Sequence, residues 1–175
     1  MRRPSFRIVA APELDDVVPA LVERFTETVN AGVPMGFMQP LSRTQGREYR
    51  LSLRADLQAG SRLLVAACTN DGVVGAGQLA LSMWPNSPHR AELQKVFVAV
   101  SCRGRGIGRL LMAALHDAAR ARGRSLLLLN TRKDGPAEAF YKRLGYREAG
   151  IIPGWTLGPA GERYTHVTLY RELAA

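Results

Sequence analysis

The sequence predicts a mixed α/β (α+β) fold in which about four helices flank a central sheet of six to seven strands. Segments with the 3.6-residue apolar spacing of helices are interspersed among short extended segments along the whole chain. One extended run, Leu126 to Leu129, is apolar at every position, as a strand buried on both faces would be.

The elements follow in order. Phe6 to Ala10 reads as a first strand. Leu14, Val17, Val18, Leu21, Val22 and Phe25 keep helical spacing, and Pro19, tolerated in a first turn, places the helix start near Asp15 or Asp16. Gly32-Val33-Pro34-Met35-Gly36-Phe37-Met38 is a loop by its Gly and Pro content, yet it is apolar, so it either touches a ligand or tucks into the core. Tyr49, Leu53 and Leu57 mark a second helix that stops at Gly60. Leu63 to Ala67 and Val73 to Leu81 form strands joined by the hairpin signal Asn70-Asp71-Gly72. A strand from Glu92 to Val100 leads through a glycine-rich loop into a third helix. There Ile107, Leu110, Leu111, Ala114, Leu115 and Ala118 make one apolar stripe, with Arg109, His116, Asp117, Arg120 and Arg122 off it. The Leu126 strand follows, then a short helix over Ala137 to Leu144 ended by Gly145. Strands near Tyr146 to Ile151 and Tyr164 to Glu172 complete the sheet. No linker, repeat or low-complexity stretch interrupts the chain, so residues 1–175 are expected to form one domain.

Composition narrows the function classes. Apolar residues make up 46 % and charged residues 22 %, an ordinary globular balance. No stretch is long and apolar enough for a membrane span, and the basic start, Met1-Arg2-Arg3, is not followed by the apolar core of a signal peptide. Cys68 and Cys102 have neither a metal-type nor a disulfide-framework spacing, which points to a reducing cytoplasm. The formal charge is +9, and all 24 basic residues except Lys95, Lys133 and Lys142 are arginines. Such a chain attracts anions, whether a polyphosphate ligand, nucleic acid or an acidic surface. It lacks a helix-turn-helix, zinc or RNA-binding motif, which disfavours nucleic acid as the partner.

The segment Val98 to Arg109 carries the functional argument. It sets Gly104, Gly106 and Gly108 between a strand and an amphipathic helix, with Arg103, Arg105 and Arg109 among them. Glycines let backbone N–H groups approach an anion, and the following helix offers unpaired N–H groups and a positive dipole end. The GxGxG spacing is neither the Walker pattern, which needs a Lys, nor the dinucleotide fingerprint. A tight strand-to-helix turn would alone account for the glycines.

A second motif decides between these readings. Arg103-x-x-Gly106-x-Gly108, between Val98-Ala99-Val100 and a helix, resembles the acetyl-CoA motif of the GNAT acyltransferases. Ala137-Glu138-Ala139-Phe140-Tyr141-Lys142-Arg143-Leu144-Gly145-Tyr146 resembles the same family's second conserved segment. Glu27-Thr28-Val29, Gly36-Phe37-Met38, Arg90 to Lys95 and Pro153-Gly154 are further similar to the tabtoxin-resistance branch of that family.

The resemblance implies a mostly antiparallel sheet and direct acetyl transfer from acetyl-CoA, as cosubstrate, to an amine in a ternary complex, without a metal. It implies that acetyl-CoA is held by Phe97, Val98, Arg103, Gly104, Arg105, Gly106, Ile107, Gly108, Arg109, Phe140 and Tyr141. It assigns oxyanion stabilisation to the Val98 N–H and thiolate protonation to Tyr141, whose other reading is a packed aromatic anchor. Carboxylates at Glu92 and at the end of the next strand would be the bases in the tabtoxin-resistance branch. Here the second position is Asn130, which orients but cannot take a proton. Strand alternation puts Glu92 on the face of Val98; an ion pair with Arg90 is its other reading. Phe37, Met38, Trp84, Glu92 and Asn130 are the expected acceptor contacts, with the first helices and the Trp155 segment completing that pocket. Asp134 is read as a helix cap, His116 as solvent-facing, His166 as a satisfied structural residue, and Cys102 as no nucleophile. The expected partner is a small-molecule amine of antimetabolite or antibiotic type, bound by a monomer or homodimer. A protein amine as acceptor and a non-catalytic acyl-CoA sensor are the alternatives.

Overall fold

In a computed structural model that describes residues 4–33, 35–70, 72–158 and 160–174, seven strands form one sheet. Pro34 of the apolar loop, Asp71 of the hairpin signal and the Met1-Arg2-Arg3 start lie outside the described residues. The strands are β1 (Ser5–Ile8), β2 (Arg62–Thr69), β3 (Gly72–Leu81), β4 (Arg90–Val98), β5 (Leu126–Arg132), β6 (Arg147–Leu157) and β7 (Arg163–Glu172), in the spatial order β1-β2-β3-β4-β5-β7-β6. Only β4 and β5 run parallel; every other pairing is antiparallel. The helices are α1 (Leu14–Asn30), α2 (Arg43–Ser52), α3 (Arg54–Gln58), α4 (Ile107–Arg120) and α5 (Pro136–Arg143).

Local rules explain most boundaries. α2 begins at Ser42, whose hydroxyl accepts from the Gln45 N–H while Gln45 Oε1 accepts from the Ser42 N–H, a reciprocal cap. The second helix read from sequence is thus two, broken at Leu53. α1 starts at Leu14, earlier than Pro19 suggested, because a 3-10 turn over Ala11–Glu13 leads directly into it. Pro19 therefore lies inside the helix, where it costs a hydrogen bond; burial of Leu14, Val17, Val18, Leu21, Val22 and Phe25 offsets this.

Two apolar clusters sandwich the sheet. α4 presses Ile107, Leu111, Met112 and Leu115 onto one face, against Leu79, Leu93, Leu127 and Leu169. Each such buried side chain contributes about 1.5–3 kcal/mol. Close contact needs Gly77, where a Cβ would stand 2.6 Å from Leu115 Cδ1. α1 and the residues around α2 cover the other face, through Phe25, Leu21, Ala76 and Phe97.

The register of β3 against β4 contains a bulge. Gln78 faces Gln94 and Ala76 faces Phe97, so one residue of β3, Gly77, opposes two of β4, Lys95 and Val96, and Lys95 takes a positive φ of 49°. The strand ends at Val98 rather than Val100, which begins a 3-10 turn.

Candidate active site

The glycine loop sits where β4 ends and α4 begins. Gly104 and Gly106 have φ of 73° and 74°, a left-handed conformation that favours glycine, with no atom within 4 Å of where a Cβ would be. The space over the loop is therefore open. The first intrahelical bond of α4 runs from Leu110 N–H to Gly106 O, which leaves the N–H groups of Ile107, Gly108 and Arg109 at the open end of the helix. Arg103 turns back, its Nε donating to Val98 O at 3.2 Å. Arg109 opens into a cleft of about 810 Å³ between α4 and α5, together with Arg120, Arg143 and Arg171. A phosphorylated ligand would find N–H groups at the loop and guanidinium charge in the cleft that Arg109 opens into.

The parallel pair β4–β5 opens beside this loop. Pairing joins Arg90 with Leu126, Ala91 with Leu127 and Glu92 with Leu128, and then stops. β4 continues to Val98 paired with β3, while Asn130 and Arg132 of β5 pair with Thr168 and His166 of β7. Phe97 and Val98 line the stretch where the strands have parted. α5 approaches from the α4 side, with the Phe140 ring 3.5 Å from a Cβ built at Gly108. Tyr141 is buried between Phe140 and Tyr146, and burial pushes its phenol up to about 12. It therefore keeps its proton at neutral pH.

A second cleft, of about 680 Å³, lies across the sheet from α4 and brings together Trp84, Glu92, Asn130, Trp155 and Thr168. Three of the five expected acceptor contacts converge there. Phe37 does not: its ring packs against Phe25 and Tyr49 under α1 and α2, and Met38 is exposed beside it. Nor do the first helices line this cleft. Glu92 is exposed, and among the described residues no ion pair joins it to Arg90. Its predicted relation to Val98 is corrected: Ala91, Leu93 and Val98 pack on the α4 side, whereas Glu92 pairs with Ala80 and shares the opposite face with Gln94 and Phe97. The extra residue at the bulge inverts the alternation between Glu92 and Val98.

A family model described as "Acetyltransferase (GNAT) domain" matches residues 59–148, which include β4, the glycine loop, α4, β5 and α5. The chain belongs to the GNAT acetyltransferase family. It is 30% identical over 158 residues to the IAA acetyltransferase of Azospirillum brasilense, covering 90% of this chain and 92% of that one. It is 34% identical over 105 residues to the streptothricin acetyltransferase of Streptomyces lavendulae; the match spans 59% of this chain and 54% of that enzyme's length. Its fold is shared with a GNAT phosphinothricin acetyltransferase from Sinorhizobium meliloti in complex with acetyl-CoA, at a TM-score of 0.75 and 20% identity over 99% of this chain and 90% of that one.

Within this GNAT site the structure brings in His166, which the sequence reads as a satisfied structural residue: it is satisfied, and by Asn130. His166 Nδ1 hydrogen-bonds Asn130 Oδ1, its Nε2 meets Thr156 Oγ1 at 3.0 Å, and Asn130 Nδ2 donates to Thr168 Oγ1 at 3.4 Å. Trp155 lies over the His166 ring at 6.4 Å. Burial, and then Arg132, hold the imidazole below its ordinary range, so it is neutral near pH 7. A neutral imidazole is thus joined to the amide that stands where a second carboxylate was expected. The signal was available in principle: Asn130 and His166 are polar residues in two late strands that pair.

Two minor readings are corrected. His116 is buried, not solvent-facing, and shares a hydrogen bond of 2.9 Å with Tyr146 Oη. Asp134 does not cap α5; Gly135 occupies that position, and Glu138 Oε2 reaches back to accept from the Asp134 N–H at 2.6 Å. Among the described residues no group of three metal-ligating side chains occurs, and no helix is long and apolar enough to cross a membrane.

Proposed function

We propose that this chain is an acetyl-CoA-dependent N-acetyltransferase that acts on the primary amine of a small molecule by direct transfer in a ternary complex. The observation that carries the reading is the gap between β4 and β5, with the open glycine loop at one end and the Trp84–Glu92–Asn130 cleft on the opposite face. Bound there, acetyl-CoA supplies an acetyl group activated as a thioester.

The chain's own residues supply the rest. The N–H groups of the loop and of the first turn of α4 hold the pyrophosphate, with Arg103, Arg105 and Arg109 adding charge. Phe97, Val98 and Phe140 flank the path from loop to gap. The Val98 N–H donates to the carbonyl oxygen as charge develops there. Tyr141 holds the proton that the departing thiolate, of ordinary pKa about 8.5, needs. An amine of pKa about 10.4 is free base in only about one part in 10³ at neutral pH, so its proton must be taken. Glu92 is the acceptor for it, directly or through water, and Asn130 with His166 orients the amine or that water.

The scope of the reading is the whole of residues 1–175 acting as one domain in the cytoplasm, as a monomer or homodimer. An antibiotic or antimetabolite amine fits the streptothricin-acetylating relative and the sequence likeness to the tabtoxin-resistance branch. Asn130 in place of a carboxylate favours a second reading, a non-catalytic acyl-CoA sensor. Calorimetric titration of acetyl-CoA into the protein and into a Gly106→Glu variant, each checked for folding by its melting curve, tests the proposal. Binding that the variant abolishes, followed by thiol release with an amine panel, is the expected result. Binding without thiol release for any amine leaves the sensor, and no binding to the unaltered protein overturns the proposal.

A further inference from the structure

Arg50, on α2, is wholly buried, and none of its three guanidinium nitrogens has a hydrogen-bond partner among the described residues. It lies in an aromatic cage, 4.3 Å from the Phe25 ring centroid, 5.4 Å from Tyr49 and 5.6 Å from Phe97. A second cation shares the cage wall, since Lys95 Nζ is 5.8 Å from Tyr49 and 5.5 Å from Phe37. Arg62 donates its Nη1 to Gln78 and Gln94 and pairs through its Nε with Asp56 at 3.0 Å. The buried Gln78 Nε2 is likewise without a partner. Ring faces repay only part of the cost of removing a guanidinium from water. Lys95 and Arg62 are engaged, with Met35 O and with Asp56, whereas the donors of Arg50 and Gln78 Nε2 are unused, and unused buried donors beside further cations are complementary to an anion.

The position of the cluster says which anion. Gln94, Lys95 and Phe97 belong to the part of β4 that has separated from β5, and Gln94 shares its sheet face with Glu92. Lys95 follows Gln94 on β4, three residues from Glu92, and shares the Tyr49 ring with Arg50, so one strand carries both the proposed proton acceptor and a wall of the cage. The cover is the apolar loop between α1 and α2. Its described residues are held by Lys95 to Met35 O, by Gln39 to Val29 O and by the Asn30–Leu41 pair. We infer that Arg50, Lys95 and Gln78 form a binding site for the acid group of the acceptor, so that the substrate is an amine that also carries a carboxylate, as an amino acid does. The inference rests on the acetyltransferase reading for the amine end. It gives Phe37 a role as part of the cover over the acid end, outside the cleft of Trp84 and Asn130.

The test uses L-amino acids, their methyl esters and the corresponding decarboxylated amines as probes, on the unaltered protein and on Arg50→Met, Lys95→Gln and Arg47→Met, the last an exposed arginine of the same helix. Melting curves with each probe, run with and without acetyl-CoA, come first. Acids should raise the melting temperature of the unaltered protein and of Arg47→Met, while esters and amines should not. Acetylation kinetics should then show a KM for the best acid about 100-fold below that for its ester, a preference lost in Arg50→Met and Lys95→Gln. The inference is overturned if no acid shifts the unaltered protein's melting, if acids and esters behave alike, or if Arg50→Met keeps the preference. Failure of acetyl-CoA to bind overturns the transferase reading instead, and the melting series without acetyl-CoA still reads the acid site.

Discussion

Tyr141 and His116 show how burial sets what a single residue can do. Both belong to the packing under α4, and in both burial disfavours the charged form. For Tyr141 this yields a phenol that holds its proton, as the proposed protonation of a leaving thiolate requires. Tyr141→Phe keeps the edge contacts with the Phe140 and Tyr146 rings and removes only the hydroxyl. It should lower kcat by about 10²-fold or more with little change in the KM for acetyl-CoA, read by thiol release. For His116 the imidazole is pushed down to about 4 by burial first, then by Arg171 and Arg120. The unfolded chain, with an ordinary pKa of 6.5, takes up a proton that the folded protein refuses. His116 therefore contributes stability that is fully present above pH 6.5 and is lost as the pH falls through 4. Urea midpoints measured from pH 7 to pH 4 should fall, and His116→Gln should flatten that decline. Glu138 titrates lower, its carboxyl held at about 2 first by Lys142, so it acts below the His116 window.

At the scale of elements, β4 organises the candidate site. Its first residues pair with β5, its middle carries the bulge, and its end feeds the glycine loop. α4 must lie close on β3 beside it for the loop to meet α5, and Gly77 makes the approach possible. Gly77→Ala would place a methyl 2.6 Å from Leu115 Cδ1 and 3.2 Å from Val96 Cγ2. Overpacking of that kind should destabilise by about 1–3 kcal/mol, seen as a lower urea midpoint with an unchanged slope. The elements themselves were legible. The α4 stripe, the all-apolar β5 and the turn between β2 and β3 each state their structure through periodicity or turn chemistry, and the glycine loop states its place between strand and helix. The bulge was not legible, because one extra residue in β4 leaves no mark in composition; assuming simple alternation put Glu92 on the wrong face. The Asn130–His166 bond and the Arg50 cage were hidden for another reason. They join residues far apart in the chain, and Arg50 reads in sequence as one more exposed helical arginine.

The whole molecule divides its work between the two faces of the sheet. Guanidinium groups gather on the α4–α5 side, the buried Arg50 and the half-buried Lys95 lie on the α1–α2 side, and β4 and β5 part in the sheet between them. A formal charge of +9 on 175 residues adds a long-range field to these local contacts. Acetyl-CoA, an anion through its phosphates, would be drawn to this protein before it touches the loop. Charges at a rim act on the encounter more than on the lifetime of the complex. Screening shortens their reach from about 10 Å at 0.1 M salt to about 3 Å at 1 M. Raising sodium chloride from about 0.05 M to about 0.5 M should therefore weaken acetyl-CoA binding several-fold, mainly through the association rate in stopped-flow measurements. A dissociation rate that rises as steeply with salt would show instead that the loop's N–H groups and arginines hold the phosphates through exposed contacts alone. An affinity indifferent to salt would mean that the field contributes nothing, and that the open glycine loop and the gap in the sheet account for recognition without it.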